Sequence, residues 1–553
     1  RPTPRPSTPR KRRHDLQAAV QRALSTNYVQ AKVQAEHLLT GVIPKNEAAA
    51  LHPDNPEKEF WKAAMTIEVD SFEEAGVVQR VPISSLMALQ RGGRRTKRTP
   101  EAAIKVRGRR INGRSVIGSK WVFDIRLLDK NDIRTGPTFR VNEKGQKVRY
   151  KARLVARGDS QRASDYGKTY APTPQVSSIR LAAAFSLQRK WRALQLDVKT
   201  AFLQSDLPEN ERIWMLPPKG DEINAGFIYM LLKSIYGLRQ AAYLWNEDIS
   251  KVLQKEGFEF LDADNCIYTH RDKNGEIVCV IALHVDDMLL VAPDDLREKF
   301  AARLKANYTM TESPARWFLK MKIQYADDMS SLSLSQPDYA SEIVRSVGME
   351  GCNTVTTPMD SILTEGSDIP WTEEESKFME DVDYGSAVGM LSHYSLMTRP
   401  DLAQAVGQVQ RFASNPRRHH WRAVQRIVKY VAGTMNYGLL FRRSEGAEGV
   451  VGYADSDHAS DLDDRKSTSD YLFTYMGAAV SWKSKKQPGR AARSTAEAEL
   501  NALDQAVREA LWLGKMCKGL DIGSSYNEQG HPTMLVYEDN EACWNIGDSP
   551  DRH

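Results

Sequence analysis

The sequence predicts an α+β protein built from several domains. Three observations predict it. The chain has 553 residues, too many for one ordinary domain and enough for three or four. Strand-like and helix-like patterns alternate from about residue 175 to 305, and the signals turn mostly helical from about 335 to 445. After the linker-like "EGAEG" a fresh series begins, of strand, hairpin, long helix, strand and helix, which reads as a separate small α/β domain.

Taken in order, the elements begin with a tail. "RPTPRPSTPRKRR", Arg1 to Arg13, is basic and Pro-rich, a composition that cannot bury a core. "NPEKEFWKAAMTIEVDSFEEAGVV" follows with Phe60, Ala64, Ile67 and Phe72 at roughly helical spacing. Arg91 to Arg114 is a second basic run with Glu101 as its one acid, suited either to phosphate contact or to a solvated segment. "SVIGSKWVFDIRLL" and "VRYKARLVARG" read as strands, and the stretch between them has loop chemistry. In "RALQLDVKTAFLQ", Leu194, Leu196 and Val198 share one face while Gln195 and Asp197 share the other, which is a strand with a carboxylate near its end. Gln240 precedes a helix with Ala241, Trp245, Ile249 and Val252 on one face.

Composition excludes several classes. Lys and Arg number 77 against 71 for Asp and Glu, a net charge of +6 that mildly favours an acidic partner. The five cysteines never fall in a CxxC spacing, so a structural zinc site or disulfide framework is not expected. The longest apolar run is broken by His284, Asp286 and Asp287, so it is no membrane span. The chain reads as soluble and intracellular. Its start without Met and its end at "GDSPDRH" suggest a piece of a longer product.

"VIALHVDDMLLVA" sets two adjacent carboxylates, Asp286 and Asp287, inside an apolar run. An ionised carboxylate there needs a partner. The pair could simply make a hairpin turn, but Asp-Asp is a poor choice where the central residues need positive φ. A divalent metal explains it better, because Mg²⁺ prefers hard oxygen ligands and two such ions can serve an in-line phosphoryl displacement. The near copy at Asp327–Asp328 is followed by a half-polar strand and reads as an exposed turn.

In order along the chain, "YKARLVARG", "LQLDVKTAFL", "KSIYGLRQAAYLWN" and "HVDDM" resemble the reverse transcriptase of copia-type LTR retrotransposons. The resemblance continues through "TRPDLAQAVGQVQRFASNP", "GYADSDHASDLDDRKSTSDYLF", "SWKSKKQP" and "STAEAEL", from about Asn46 to the end. It implies a right-hand polymerase of fingers, palm and thumb followed by a ribonuclease H-like α/β domain. The implied boundaries are a disordered tail at 1–45, fingers and palm at 46–334, a helical thumb or connection at 335–445, and a C-terminally truncated ribonuclease H-like domain at 446–553. Asp197, Asp286 and Asp287 become the polymerase metal ligands, with two Mg²⁺ or Mn²⁺ per active site. Phe202 resembles a steric gate against a ribose 2′-OH, with core packing as its other reading. Gln240 is implied near the incoming nucleotide, or else caps its helix. Lys151 and Arg153 suit triphosphate binding, a plain nucleic-acid contact or a solvated edge equally. Two residues depart from the family: His284 stands where an aromatic is usual, and Lys320 stands in "WFLKMKI" where Gly is usual.

The second domain is read the same way. Asp455 lies in the strand "VVGYADSDH" and Asp539 follows "MLVY" at a strand end. Ser494 and Glu497 fit a capping box that opens the helix between them. Wound at roughly 100° per residue, that helix puts Leu500, Leu503, Ala506, Val507 and Ala510 on one face, with Glu499 inside it and Glu497 outside. Glu499 therefore joins Asp455 and Asp539 as an expected metal ligand and catalytic residue. The resemblance implies RNA-directed DNA polymerase activity on dNTPs, with RNA template, DNA primer and RNA–DNA hybrid as partners. It also implies a cytoplasmic retroelement particle, with the nucleus as a second location. The rival reading is a decayed or domesticated element that binds nucleic acid without catalysis.

Overall fold

The computed structural model describes residues 43–83, 85, 110–111, 114–128, 135–142, 145–217, 226–366, 371–443, 449–523, 525–526 and 532–548. The basic run Arg1–Arg13 and most of Arg91–Arg114 lie outside them. The chain is α+β. Among the described residues no helix is long and apolar enough to cross a membrane.

Helix α1 (Lys58–Glu74) covers a three-stranded antiparallel sheet of β1 (Ser119–Leu127), β2 (Phe139–Val141) and β3 (Lys147–Ala156), with β3 in the middle. The buried stripe of α1 is Trp61, Ala64, Glu68 and Phe72; Phe60 is only half-buried and Ile67 is exposed. The 3-4-4 spacing from Trp61 follows the helical period more closely than the stripe the sequence suggested. It carries Glu68 inward, where its carboxylate accepts the Leu154 N–H at 3.1 Å. The expected loop before β3 contains β2, which pairs with the start of β3.

The central sheet has six strands. In chain order come helix α2 (Val176–Gln188), β4 (Ala193–Val198), helix α3 (Ala241–Lys255), β5 (Glu259–Leu261), β6 (Asp264–Arg271), β7 (Ile277–His284), β8 (Asp287–Val291), helix α4 (Asp294–Asn307) and β9 (Met310–Pro314). The strand order is β5-β6-β7-β8-β4-β9, antiparallel throughout. Both faces are buried along β7 and β8, which is why those strands read as continuous apolar runs. On α3 the buried residues are Ala241, Trp245, Ile249 and Leu253; Leu253 takes the place expected for Val252, which is only partly buried.

A four-stranded sheet follows, of β10 (Trp317–Phe318), β11 (Met321–Tyr325), β12 (Ser331–Ser335) and β13 (Gly438–Arg442). Strand β13 returns to it after the helical stretch, whose members are α5 (Pro337–Ser346), α6 (Glu373–Glu380), α7 (Tyr384–Thr398), α8 (Ala403–Gln410) and α9 (Arg418–Gly433). The helices are therefore tied back into the preceding segment by backbone pairing. The C-terminal sheet runs β16-β15-β14-β17, from β14 (Val451–Asp457), β15 (Thr468–Tyr475), β16 (Ala478–Lys486) and β17 (Leu535–Tyr537), with helix α10 (Thr495–Gly519) packed on it and α11 (Glu541–Asp548) last. Only the β14–β17 pairing is parallel in this sheet.

The C-terminal unit shares a core with the central one. A single buried apolar cluster runs from Ile179 on α2 to Ile522 beyond α10. Arg180 sits in it, 2% exposed. Its guanidinium donates to Met397 O and Leu396 O at the C-terminal end of α7, and to Val480 O on β16 at 2.8 Å, and lies 3.8 Å from the centre of the Trp482 ring. Burial pushes it down to about 9. Helix-end carbonyls carry partial negative charge, which compensates the cation.

Arg180→Lys is expected to lower the denaturant midpoint, by at least about 2 kcal/mol. An ammonium stays charged and buried but cannot reach three separated carbonyls or stack on Trp482. An unchanged midpoint in urea would show that this junction does not depend on the guanidinium.

Candidate active site

Strand β4 ends near Asp197 and β8 begins with Asp287, and the two are cross-strand partners. As the alternation predicts, Leu194, Leu196 and Val198 are buried while Gln195 and Asp197 lie on the other face. Strands β7 and β8 meet in a two-residue turn. The last paired residues are His284 and Asp287, so Val285 and Asp286 make the turn and Asp287 already belongs to β8. Val285 has φ +57°, a costly conformation for a β-branched residue. Its neighbours hold it there. Buried Trp245 donates Nε1–H to Val285 O at 2.7 Å, and Asp286 O accepts the Val198 N–H at 2.8 Å. The turn is thus clamped from α3 and from β4, and Asp286 is fixed beside the Asp197–Asp287 pair.

Three carboxylates are crowded at one end of a sheet. Burial first, then the charges of Asp197 and Asp286, push the Asp287 carboxyl up to about 7. Gln195 opposes this by donating Nε2–H to both Asp287 oxygens, at 3.0 and 3.1 Å. Asp197 is raised too, by desolvation and then by Asp286, with Lys151 and Arg126 pulling the other way. Among the described residues no three His, Cys, Asp or Glu close into a preformed metal cage. Mg²⁺ does not require one, since it keeps waters and is held by one or two carboxylates with substrate phosphates. A carboxyl raised by burial and then by like charges fits such an ion, which would remove the repulsion.

Cations face this end from the three-stranded sheet. Along β3, Lys147, Arg149, Lys151 and Arg153 alternate with buried Val148, Tyr150, Ala152 and Leu154. Lys151 is pushed down to about 8, by burial and then by Arg153, Arg126 and Arg149. Such crowding of like charge suits an anionic ligand. Arg153 lies 5.8 Å over the Tyr236 ring, which packs edge-on against Phe202 with centroids 5.2 Å apart. Phe202 is partly buried against two core clusters. Gln240 is fully buried and does not cap α3; its Oε1 accepts from Gln161 at 3.0 Å while its Nε2 finds no partner among the described residues. Sequence reasoning missed Arg126 and Tyr236. The alternation in "WVFDIRL" does show Arg126 on the outer face, but not that Asp197 lies opposite.

Asp327 and Asp328 sit at an exposed turn between β11 and β12, with Asp328 Oδ1 accepting the Ser330 N–H. Lys320 occupies the second central position of the β10–β11 turn with φ +65°, after Leu319 at +49°. Glycine suits such a position. Here the lysine is anchored instead, 4.5 Å over the Tyr339 ring and 3.6 Å from Glu342 Oε2.

A second carboxylate cluster lies at the end of the C-terminal sheet. Asp455 and Asp539 are exposed, whereas Glu499 is 4% exposed on the face of α10 that meets the sheet. That face consists of Ala498, Glu499, Ala502, Ala506 and Ala510, while Leu500 and Val507 are exposed. The small alanines let α10 approach the sheet, which leaves no room for the leucine stripe the sequence suggested. Glu497 is exposed; Ser494 Oγ accepts its N–H at 3.2 Å, but its own carboxylate bonds the Arg493 N–H rather than that of Ser494. Burial and then Glu538, Asp455 and Asp539 push Glu499 up to about 7. Glu538 and Asp470 join this electrostatic cluster and were not foreseen.

The raised Asp287 makes metal-free stability pH-dependent. A carboxyl raised in the folded state favours folding while it is protonated. That contribution is lost as pH climbs from the unfolded value of about 4 towards 7. Asp287→Asn removes the loss. The metal-free variant is expected to be more stable than the parent at pH 8, by about 1–2 kcal/mol after allowing for screening, and the gap should shrink towards pH 4. Denaturant midpoints at the two pH values measure it. A gap that is absent, or that widens on acidification, would contradict a carboxyl raised by burial and like charge.

Residues 111–361 match the family model described as reverse transcriptase (RNA-dependent DNA polymerase). The retrovirus-related Pol polyprotein from transposon TNT 1-94 of Nicotiana tabacum is 34% identical over 475 residues, covering 85% of this chain and 32% of that protein. The putative transposon Ty5-1 protein of Saccharomyces cerevisiae is 30% identical over 319 residues, covering 57% of this chain and 100% of that protein. A solved foamy viral protease-reverse transcriptase in complex with double-stranded DNA aligns with TM-score 0.46 and 12% identity, over 89% of this chain and 65% of that one. The chain spans no more than 32% of the plant transposon Pol polyproteins it resembles. The chain belongs to the reverse transcriptase family, as found in the Pol polyproteins of copia-type retrotransposons.

Proposed function

We propose that this chain is an RNA-directed DNA polymerase with an attached ribonuclease H-like unit. The observation that carries the reading is the cross-strand pair Asp197–Asp287 with Asp286 held beside it in a clamped turn. In this reading residues 46–334 are fingers and palm, 335–445 thumb and connection, and 446–553 the ribonuclease H-like unit.

The reaction is attack of a primer 3′-oxygen on the α-phosphate of a dNTP, forming one P–O bond and breaking the bond to pyrophosphate. Asp197, Asp286 and Asp287 would hold two Mg²⁺ or Mn²⁺ ions, which when bound activate the 3′-OH and neutralise charge on the phosphates. Lys151, Arg153 and Arg126 bind and orient the triphosphate. Gln195 fixes the Asp287 carboxylate. Gln240 lies buried beside the nucleotide site, and Phe202 excludes a 2′-OH. In the C-terminal unit Asp455, Glu499 and Asp539 would hold the ions for hydrolysis of RNA in an RNA–DNA hybrid.

Primer extension on an RNA template with dNTPs and Mg²⁺ tests the reading. Asp286→Asn is expected to reduce extension by at least about 10³-fold, whereas Asp327→Asn and Asp328→Asn leave it nearly intact. Loss of extension from the surface pair with Asp286 dispensable would overturn the assignment. A parent protein that binds primer–template but never extends it would favour the non-catalytic reading.

Phe202→Val is expected to raise ribonucleotide incorporation relative to deoxyribonucleotide, by about tenfold or more. Single-nucleotide incorporation of rNTP and dNTP measures the ratio. An unchanged ratio with dNTP activity retained would return Phe202 to a packing role.

A further inference from the structure

Strand β3 outruns one of its two partners. It pairs with β1 from Ser119–Ala156 to Leu127–Val148, but with β2 only at Lys147–Arg149. Beyond that point its edge on the β2 side needs other acceptors. Alternate N–H groups of a strand point to the same edge. Tyr150 N–H donates to Thr138 O at 2.8 Å, Leu154 N–H to Glu68 Oε1 at 3.1 Å, and Ala156 N–H to Tyr236 O at 2.8 Å. Glu68 on α1 thus does for β3 what a neighbouring strand would do.

A neutral amide would close that edge equally well. Glu68 is a carboxylate and only 9% exposed, so its charge needs a reason. Burial raises its carboxyl, and the Leu154 N–H, then Lys151 and Arg153, oppose the rise. The influence is returned: burial, Arg153, Arg126 and Arg149 push Lys151 down, and Glu68 pushes it up. Helix α1 covers the face of β3 that carries Tyr150 and Leu154, whereas Lys151 and Arg153 leave from the other face. Glu68 therefore acts on these cations across the strand edge. The same edge leads to Tyr236, whose ring lies under Arg153 and packs against Phe202.

We propose that Glu68 is a positioning residue for the triphosphate: its hydrogen bond fixes the open edge of β3, and its charge offsets Lys151 and Arg153 so that they release pyrophosphate as readily as they bind dNTP. The inference rests on reading Lys151 and Arg153 as triphosphate-binding. A cationic face without such an offset holds substrate and product polyanions alike, and uniform binding of that kind lowers KM without raising kcat. A buried carboxylate on the α1 side weakens the hold without occupying the place of a phosphate.

Glu68→Gln in the full chain separates the two roles, because an amide oxygen still accepts the Leu154 N–H but carries no charge. Steady-state primer extension is expected to show KM for dNTP lowered by about 3- to 10-fold, kcat not raised, and inhibition by added pyrophosphate strengthened by a similar factor. Calorimetric binding of pyrophosphate with Mg²⁺ gives the same comparison without turnover. A residue that only supported the fold would not tighten phosphate binding when changed. Glu68→Asp keeps the charge but falls a methylene short of the N–H. It is expected to lower the melting temperature and leave pyrophosphate binding as in the parent, and it carries the test if Glu68→Gln does not fold. Parent-like KM and pyrophosphate binding in Glu68→Gln, with both weakened in Lys151→Ala and Arg153→Ala, would overturn the role of Glu68 and leave the polymerase reading standing. Lys151→Ala and Arg153→Ala without effect on either would overturn the triphosphate reading and this inference together.

Discussion

Like charge at a strand end is the constraint around which the central unit is arranged. Carboxylates directly opposite on antiparallel strands destabilise a sheet, yet Asp197 and Asp287 are such partners, with Asp286 one residue away. Compensation comes from several directions. The strands behind them are apolar on both faces, so the core supplies the stability that the strand end forgoes. Gln195, on the same face of β4 as Asp197, spends both available N–H···O contacts on Asp287. Trp245 and the Val198 N–H hold the turn at Val285 in a conformation that residue does not favour. Opposite stand cations, among them Lys151, which burial and then its cationic neighbours depress.

The same logic explains what the sequence makes legible. Asp286 and Asp287 stand out because a charge in an apolar run needs a reason, and Asp197 because its strand alternates cleanly. Period-2 burial along "VRYKARLVA" is visible in the letters, so Lys151 and Arg153 could be put on one face. What the letters cannot carry is which other sheet that face meets. Arg126 is as well placed as Lys151, but its relevance depends on the three-stranded sheet facing β4. The helix α10 shows the complementary limit. Its leucines and valine advertise an apolar stripe, but the face that packs is the alanine one, because close approach to the sheet is decided by small side chains rather than by hydrophobicity. Glu499 was read correctly as buried through an argument whose apolar neighbours were partly the wrong ones. On α1 the stripe shifted by one residue for a related reason: Trp61 fills the space against Phe123 and Tyr150, and the register of that one large ring moves its neighbours with it.

One buried apolar cluster joins residues on either side of the linker-like stretch. Strand β13 pairs with β12 across the intervening helices, and its Arg442 N–H bonds Met476 O in the C-terminal hairpin. Arg180 is the densest of these links, because one planar guanidinium reaches a helix end and a strand at once. Long-range partners of this kind leave no periodic trace, so a chain can look modular in sequence and still fold around a common interior.

The two carboxylate clusters meet the same electrostatic problem in different ways. In the central sheet the acids stand at the mouth of a hairpin, and a glutamine and facing cations temper their repulsion. In the C-terminal sheet burial and three neighbouring acids raise Glu499, and Ser456 rather than a cation opposes them. At the first cluster the Gln195 hydrogen bonds oppose the rise of Asp287 without cancelling it. At the second, Glu499 is buried with its Oε2 unpaired among the described residues. The two carboxyls nonetheless reach the same level, Asp287 and Glu499 each pushed up to about 7, because burial leads the causes at both.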